Sequence, residues 1–266
     1  MSKTWFITGT SRGFGREWAD AALSRGDRVA ATARDVGALD PLVQAYGDRV
    51  LPLQLDVTDR AAAFDAVQRA ATAFGRLDVV VNNAGYGHAG MVEELTEAEV
   101  RDELDANFFG TLWVTQAALP VLRAQGGGRL LQVTSEGGVR TFAGFGAYHA
   151  SKWALEGLCQ TLATEVAAFG ISVVLVEPGP YTTDFGASLR TSEHHPDYDQ
   201  VRLDTAQQWD RGNPIATRPA VLQLADMDDP PLRVFLGRSF DAVQAEYQQR
   251  LATWKQWQQL ALAAFG

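Results

Sequence analysis

The sequence predicts an α/β protein: one doubly wound parallel sheet of seven strands with helices on both faces. Three observations carry that expectation. Short β-branched or apolar runs recur along the chain, namely "TWFIT", "RVAATA", "RVLPLQL", "LDVVVNN", "GRLLQVTS", "ISVVLVEP" and "LRVFLG", and such runs suit strands buried on both sides. Helical-period segments fill the intervals between them, and right-handed crossovers then make the doubly wound arrangement the economical solution. A glycine-bearing turn, "TGTSRGFG", joins the first run directly to the first helical segment.

The helices have legible ends. "RAAAFDAVQRAATAFG" closes on glycine as a C-cap should, and "TEAEVRDELDANFFGTLWVTQAALPVLRAQGGG" opens with Thr96 and Glu99 at capping-box spacing. No repeat or linker interrupts the chain, so residues 1–266 are expected to form a single domain. The one irregular stretch, Tyr181 to Thr217, is polar and carries "SEHHPDYD". It is the natural candidate for a lid or specificity loop.

Composition narrows the function. With 46% hydrophobic and 21% charged residues, the chain reads as an ordinary globular protein. Its net charge of -9 argues against a nucleic-acid partner, whose phosphates require basic surface. Cys159 is the single cysteine, so no intramolecular disulfide can form and a reducing compartment is expected. "MSKTWFITG" enters a strand at once, leaving no room for a signal peptide, and no apolar run is long enough to span a bilayer. A cytoplasmic protein without membrane attachment is the expectation. His194 and His195 are adjacent in a polar loop, which is not metal-ligand spacing on a helix, and no metal is expected.

Two short stretches carry chemistry. The turn after the first strand holds Gly9, Ser11, Arg12, Gly13, Phe14 and Gly15. Glycines there allow a tight turn and close approach to a pyrophosphate, whose charge the next helix's N-terminus attracts. In "AYHASKWALEG", Tyr148 and Lys152 stand four residues apart and would stack one turn apart on a helix. That spacing alone fits equally a half-buried tyrosine beside a solvated lysine.

"TGTSRGFG", "LDVTD", "NNAG", Asn107 in "NFFG", Ser135 in "VTSEGG", "YHASK" and "VEPGPYTT" occur in one order. In that order and spacing the chain resembles the short-chain dehydrogenase/reductase family, densely from Thr4 to about Asp184 and loosely beyond. The resemblance implies a single-domain Rossmann-like fold and a nicotinamide dinucleotide cofactor. It places Asp56 and Val57 at the adenine, and Asn83, Ala84 and Gly85 of the "NNAG" loop against the cofactor. Pro178 and Gly179 would contact the nicotinamide, with Thr183 bonding its carboxamide and Thr182 one residue off the pattern. The acid that selects NAD would fall at Ala33, which is neutral, while Arg34 stands where NADP-preferring members place a base. Arg12 can reach the same phosphate. NADP(H) is therefore expected over NAD(H), with Asp35 the competing reading.

Carbonyl reduction needs a hydride on carbon and a proton on oxygen, and the protein must supply the proton. A free phenol, with a pKa of about 10, is poorly matched to neutral pH. One ammonium at about 4 Å in an effective dielectric near 20 would stabilise phenolate by about 4 kcal/mol, or roughly three pKa units. Lys152 is expected to do this for Tyr148; the resemblance also gives it the nicotinamide ribose. Ser135 is expected to hydrogen-bond the substrate oxygen, with Thr134 as the rival hydroxyl. The resemblance makes Asn107 part of a water-linked relay behind Lys152; the alternative is an amide bonding its own helix.

Tyr86, His88, Phe142, Phe145, Tyr181 and Phe185 are expected to rim the cleft, and an aromatic rim with few charges suits a small apolar or aromatic carbonyl or alcohol. His149 should point away from the chemistry. The C-terminal positions Phe240, Val243, Tyr247, Leu251 and Trp254 are expected to pack in the core or between subunits. Relatives of this kind pair through helices corresponding to Thr96–Gln125 and Ala147–Phe169, which implies a homodimer or homotetramer. The expected function is ketone or aldehyde reduction, reversible to alcohol oxidation. The alternatives are a catalytically silent NADP(H)-binding regulator, and a lyase or epimerase on the same scaffold.

Overall fold

The computed structural model describes residues 2–265. In chain order, β1 (Thr4–Ile7), α1 (Gly13–Ser24), β2 (Arg28–Ala33), α2 (Asp40–Tyr46), β3 (Val50–Gln54), α3 (Arg60–Phe74) and β4 (Val79–Asn82) form the first half. A two-residue strand, β5 (His88–Ala89), precedes α4 (Glu97–Leu104), α5 (Gly110–Ala124), β6 (Gly128–Val133), α6 (Gly146–Val166) and β7 (Ile171–Pro178). A second short strand, β8 (Arg190–Thr191), then leads to α7 (Asp199–Asp204), α8 (Arg218–Asp226), β9 (Arg233–Leu236), α9 (Phe240–Gln256) and α10 (Gln258–Phe265). All seven expected strands form one parallel sheet in the order β3-β2-β1-β4-β6-β7-β9. The order reverses direction between β1 and β4, which opens a crevice at their carboxyl ends.

Alternation along each strand divides the core into two layers. Trp5 and Ile7 of β1 join Trp18, Leu23, Val174 and Val221 on one face. Phe6, between them, points the other way into Val80, Val114, Leu130 and Leu162. The predicted caps are present: Thr96 Oγ1 accepts the Glu99 N–H at 3.3 Å while Glu99 returns to the Thr96 N–H at 2.8 Å, and Gly75 closes α3 in the left-handed conformation.

Three expectations change. The helix expected from Thr96 to Gln125 is interrupted by a π-helical turn at Asp105–Phe109, and the extra residue it accommodates carries Asn107 inward. The C-terminal pattern does not build core: Val243 is buried, but Phe240, Leu251 and Trp254 are more than half exposed. Their heptad spacing aligns one face of α9 that no other described residue covers, so only the core half of that expectation changes. The stretch between β7 and β9 is ordered by tertiary pairing, with β8 running parallel to β5. No helix among the described residues is long and apolar enough to cross a membrane.

One buried ionic cluster lies where β7 meets β9. Glu177, 1% exposed, and Glu156 of α6 share the Arg233 guanidinium, with Nε–carboxylate distances of 3.5 and 3.1 Å. Burial pushes the Glu177 carboxyl up to about 8, and the charge of Glu156 adds to that effect. A carboxyl whose folded pKa exceeds its unfolded value contributes its stability below the unfolded value and loses it as pH rises through about 8. Glu177→Gln is expected to reduce the loss of stability between about pH 5 and about pH 9 by about 1–3 kcal/mol. Urea unfolding at the two pH values measures this, and parallel curves for both proteins would refute it.

Candidate active site

A cavity of about 630 Å³ follows the crevice at the carboxyl ends of the strands. Its floor is the turn from β1 into α1. Gly9 has φ +69, and a Cβ on Gly15 would lie 2.3 Å from the Gly9 carbonyl oxygen and 2.5 Å from Asn83 Nδ2. Only glycine fits at Gly15. Asn83 braces the same turn, its Nδ2 donating to the carbonyls of Thr8 at 2.9 Å and Gly9 at 3.1 Å. The N–H groups of Asn83 and Ala84 both donate to Thr8 Oγ1. The β1 turn and the loop after β4 therefore hold each other in place. Asn82 lies outside the cavity and bonds Thr115 and Gln132 in the core.

From this floor the cavity runs in two directions. Toward β2 and β3 it is bordered by Ala33, Arg34, Leu55, Asp56 and Val57, with Ser11, Arg12, Gly13 and Phe14 on the near side. Asp35 does not border it; its carboxylate accepts the Gly37 N–H and caps a short 3₁₀ turn. Toward β6 and β7 the cavity meets Thr134, Ser135, Tyr148, Lys152, Pro178, Gly179 and Thr183. Thr182 is absent from this lining, its N–H donating to the Gly212 carbonyl. Glycine-lined space beside an uncapped helix N-terminus, continuing to a phenol and a hydroxyl, fits a dinucleotide bound along the strand ends.

Thr134 and Ser135 both line the cavity and differ in the partners of their hydroxyls. Thr134 Oγ1 donates to the Val176 carbonyl at 3.2 Å within the sheet. Ser135 Oγ accepts the Gly137 N–H at 3.0 Å and donates to the Pro178 carbonyl at a longer 3.5 Å, with the Tyr148 phenol beside it. Lys152 lies a turn beyond Tyr148, its Nζ donating to the Val133 carbonyl at 3.0 Å and standing 5.9 Å from the phenol ring centroid.

The electrostatics differ from the expectation. Burial pushes the Tyr148 phenol above its ordinary value, the hydrogen bond with Ser135 opposes this, and the charges of Glu103 and Glu136 reinforce it. Lys152 is itself lowered to about 8 by burial. The ammonium donates to a backbone carbonyl, so i,i+4 spacing brings the two groups together while burial governs the direction of both shifts.

Asn107 stands behind the cavity wall. Its Oδ1 accepts the Tyr86 N–H at 3.0 Å, and its Nδ2 donates to the Tyr86 carbonyl at 2.9 Å and Ser151 Oγ at 3.0 Å. The side chain thus ties the loop after β4 to α6, and the expected alternative of an amide bonding its own helix describes only its 3.5 Å contact with Glu103. A Cβ on Gly85 would fall 2.7 Å from Asn107 Oδ1 and 3.8 Å from Lys152 Nζ.

The aromatic rim is present with one exception. Tyr86, Phe142, Phe145, Tyr181 and Phe185 all border the cavity. His88 does not: it is 2% exposed and bonds Ser192 Oγ at 2.8 Å, because the pairing of β5 with β8 turns its side chain toward the segment after β7. His149 also points away from the chemistry, its ring bridging the Gly137 carbonyl and the Phe142 N–H. Trp209 joins the rim by packing edge-on against Phe142 at 5.0 Å, and Arg190 lies over the Tyr86 ring. Nothing in sequence marks Trp209, since its contact comes from a segment 67 residues away. Among the described residues no group of three or more His, Cys, Asp or Glu side chains is placed to hold a metal.

The family model described as short chain dehydrogenase matches residues 3–194 of this geometry's framework. The chain belongs to that family. This short-chain dehydrogenase is 39% identical to oxidoreductase BOA17 of Botryotinia fuckeliana, with 99% of this chain and 100% of the relative covered. A short-chain dehydrogenase from Streptomyces avermitilis has a structure with TM-score 0.92 and 39% identity, covering 99% of this chain and 98% of that one. An alcohol dehydrogenase from Thermococcus sibiricus, complexed with 5-hydroxy-NADP, has TM-score 0.76 and 28% identity, covering 89% of this chain and 96% of that one. The protein is thus an oxidoreductase of a fold whose structural neighbours bind NAD(P)-type nucleotides.

Proposed function

We propose that this short-chain dehydrogenase is an NADP(H)-preferring oxidoreductase interconverting a small apolar or aromatic ketone or aldehyde with its alcohol. The observation that carries this reading is the convergence of Ser135, Tyr148 and Lys152 on the same cavity as Gly9, Ser11, Arg12, Gly13 and Phe14, with Gly15 buried just behind that lining. The bound nicotinamide would supply a hydride to the carbonyl carbon. Tyr148 donates the proton to the carbonyl oxygen; burial holds the phenol in its protonated form at neutral pH while making it a weaker acid. Ser135 steadies the developing charge on that oxygen. Lys152 would hold the nicotinamide ribose, and Thr183 the carboxamide. Phe142, Phe145, Phe185 and Trp209 give the substrate end an aromatic surface that excludes water and suits an apolar carbonyl compound.

Preference for the 2′-phosphate rests on Arg34 and Arg12, both exposed on the cavity rim, with Ala33 where an acid would stand and Asp35 turned into its cap. Arg34→Ala is expected to raise KM for NADPH about tenfold or more relative to NADH, as loss of a charge-assisted contact would. Steady-state kinetics with both cofactors measure the ratio, and an unchanged ratio would remove the phosphate role. Pairing of two copies through α5 and α6 belongs to the same reading, since Phe109 and Phe169 present exposed rings at the ends of these helices. The activity itself is tested by following NADPH oxidation over a panel of ketones, aldehydes, sterols and quinones, with Tyr148→Phe as the control.

A further inference from the structure

The active-site reading leaves one buried acid unused. Glu103, at the end of α4, is 0% exposed and lies four residues before Asn107, outside the cavity lining. Its Oε1 accepts the His88 N–H at 3.0 Å and stands 3.5 Å from Asn107 Nδ2, while Oε2 has no hydrogen-bond partner among the described residues. Asn107 Nδ2 also donates to Ser151 Oγ, which in turn donates to the Tyr148 carbonyl at 2.8 Å. A line of side chains therefore joins this carboxyl to the backbone of the catalytic tyrosine.

A buried carboxyl with one unpaired oxygen is costly to keep, and an apolar residue would fill the same space without that cost. The groups facing it are Lys152 and Tyr148 from α6, Tyr86 and His88 from the segment leading into β5, and Arg190 from β8, with Asp102 and Glu99 on its own helix. Burial pushes Glu103 up to about 8, against the His88 N–H and the charges of Lys152 and Arg190. Its negative charge, once formed, favours protonated Lys152 and disfavours tyrosinate at position 148. Both groups then hold their protons to higher pH.

We propose, on the basis of the reductase reading, that Glu103 is a positioning residue that fixes Asn107 and the Tyr86–His88 backbone from behind the site and sets the pH range over which the Tyr148–Lys152 pair works. The consequence is directional. Removing the charge while keeping the shape should let the pair lose its proton earlier, without removing the proton donor itself.

The test is the pH dependence of kcat/KM for alcohol oxidation in wild type, Glu103→Gln and Glu103→Asp. The glutamine variant is expected to turn over with its rising limb displaced to lower pH by about one unit, and the aspartate variant to return toward the wild-type profile. A purely structural role predicts the reverse, because glutamine keeps the acceptor oxygen and the volume. A glutamine variant with the wild-type profile would overturn the proposal. Glu103→Met removes the charge at similar volume and serves the same comparison if the glutamine variant does not fold. A second readout is independent of turnover: the ultraviolet titration of tyrosinate, taken as the difference between proteins with and without Tyr148→Phe. The Tyr148 contribution should move down by a similar amount when Glu103 is neutralised, and an unmoved titration would also overturn the proposal. Persistent turnover in Tyr148→Phe, by contrast, would remove the reductase reading while leaving the tyrosinate titration to decide the role of Glu103.

Discussion

Tyr148→Phe should reduce kcat for carbonyl reduction by about 10²- to 10⁴-fold while leaving dinucleotide affinity within a few-fold of wild type. The substitution removes one oxygen and keeps the ring, whose edges pack against Phe145 at 6.4 Å and Phe185 at 5.6 Å between centroids. The wall of the cavity is therefore retained. What disappears is the donor beside Ser135, and a carbonyl accepting hydride would have to take its proton from water. The size of the loss follows from position as well as chemistry. Ser135 remains able to hydrogen-bond the substrate oxygen, so some charge stabilisation survives and the variant should not fall to the uncatalysed rate. Single-turnover measurements separate the chemical step from binding, and fluorescence titration with NADPH reports affinity. Equal turnover in both proteins would remove Tyr148 from the chemistry.

Gly15→Ala should be the most damaging single methyl in the site. Its Cβ would sit 2.3 Å from the Gly9 carbonyl oxygen and 2.5 Å from Asn83 Nδ2, distances no real Cβ adopts; the first neighbour is backbone and the second a side-chain tip held by two hydrogen bonds. Relief requires α1 to move away from the β1 turn or Asn83 to release its bonds to Thr8 and Gly9. Either movement opens the cradle on which a pyrophosphate would rest. The expected outcome is a loss of about 1–3 kcal/mol in stability from overpacking, together with at least a tenfold rise in cofactor Kd. Thermal unfolding with and without NADPH measures both. A variant with unchanged Tm and unchanged cofactor protection would show that the turn yields freely.

These two residues were legible in very different degrees. Gly15 is marked by its place between an apolar run and a helical segment, because a strand-to-helix turn that lets backbone approach a ligand has few alternatives to glycine. Tyr148 gains its meaning from order: seven short motifs in register along one chain specify a family where none would alone. The electrostatics around Lys152 depart from the expectation, since sequence spacing fixes which face a side chain occupies and not where its tip points. Nζ found the Val133 carbonyl, on β6, and burial then governed both members of the pair.

His88 and Asn107 show the same boundary. Each lies in a motif-bearing stretch, yet one turns to Ser192 just after β8 and the other reaches through a π turn to Tyr86 and Ser151. Local composition carries no record of a partner 104 residues distant.

Hydrophobic period, turn glycines and caps are nearest-neighbour properties, so the chain's own order was enough to specify seven strands, their alternation with helices and a crevice at the strand ends. Protonation states, the packing of Trp209 on Phe142 and the burial of Glu103 behind Asn107 depend on distances between segments far apart in the chain. Those distances exist only after the layers have packed, because charge and desolvation are set by what surrounds an atom and not by what precedes it in sequence.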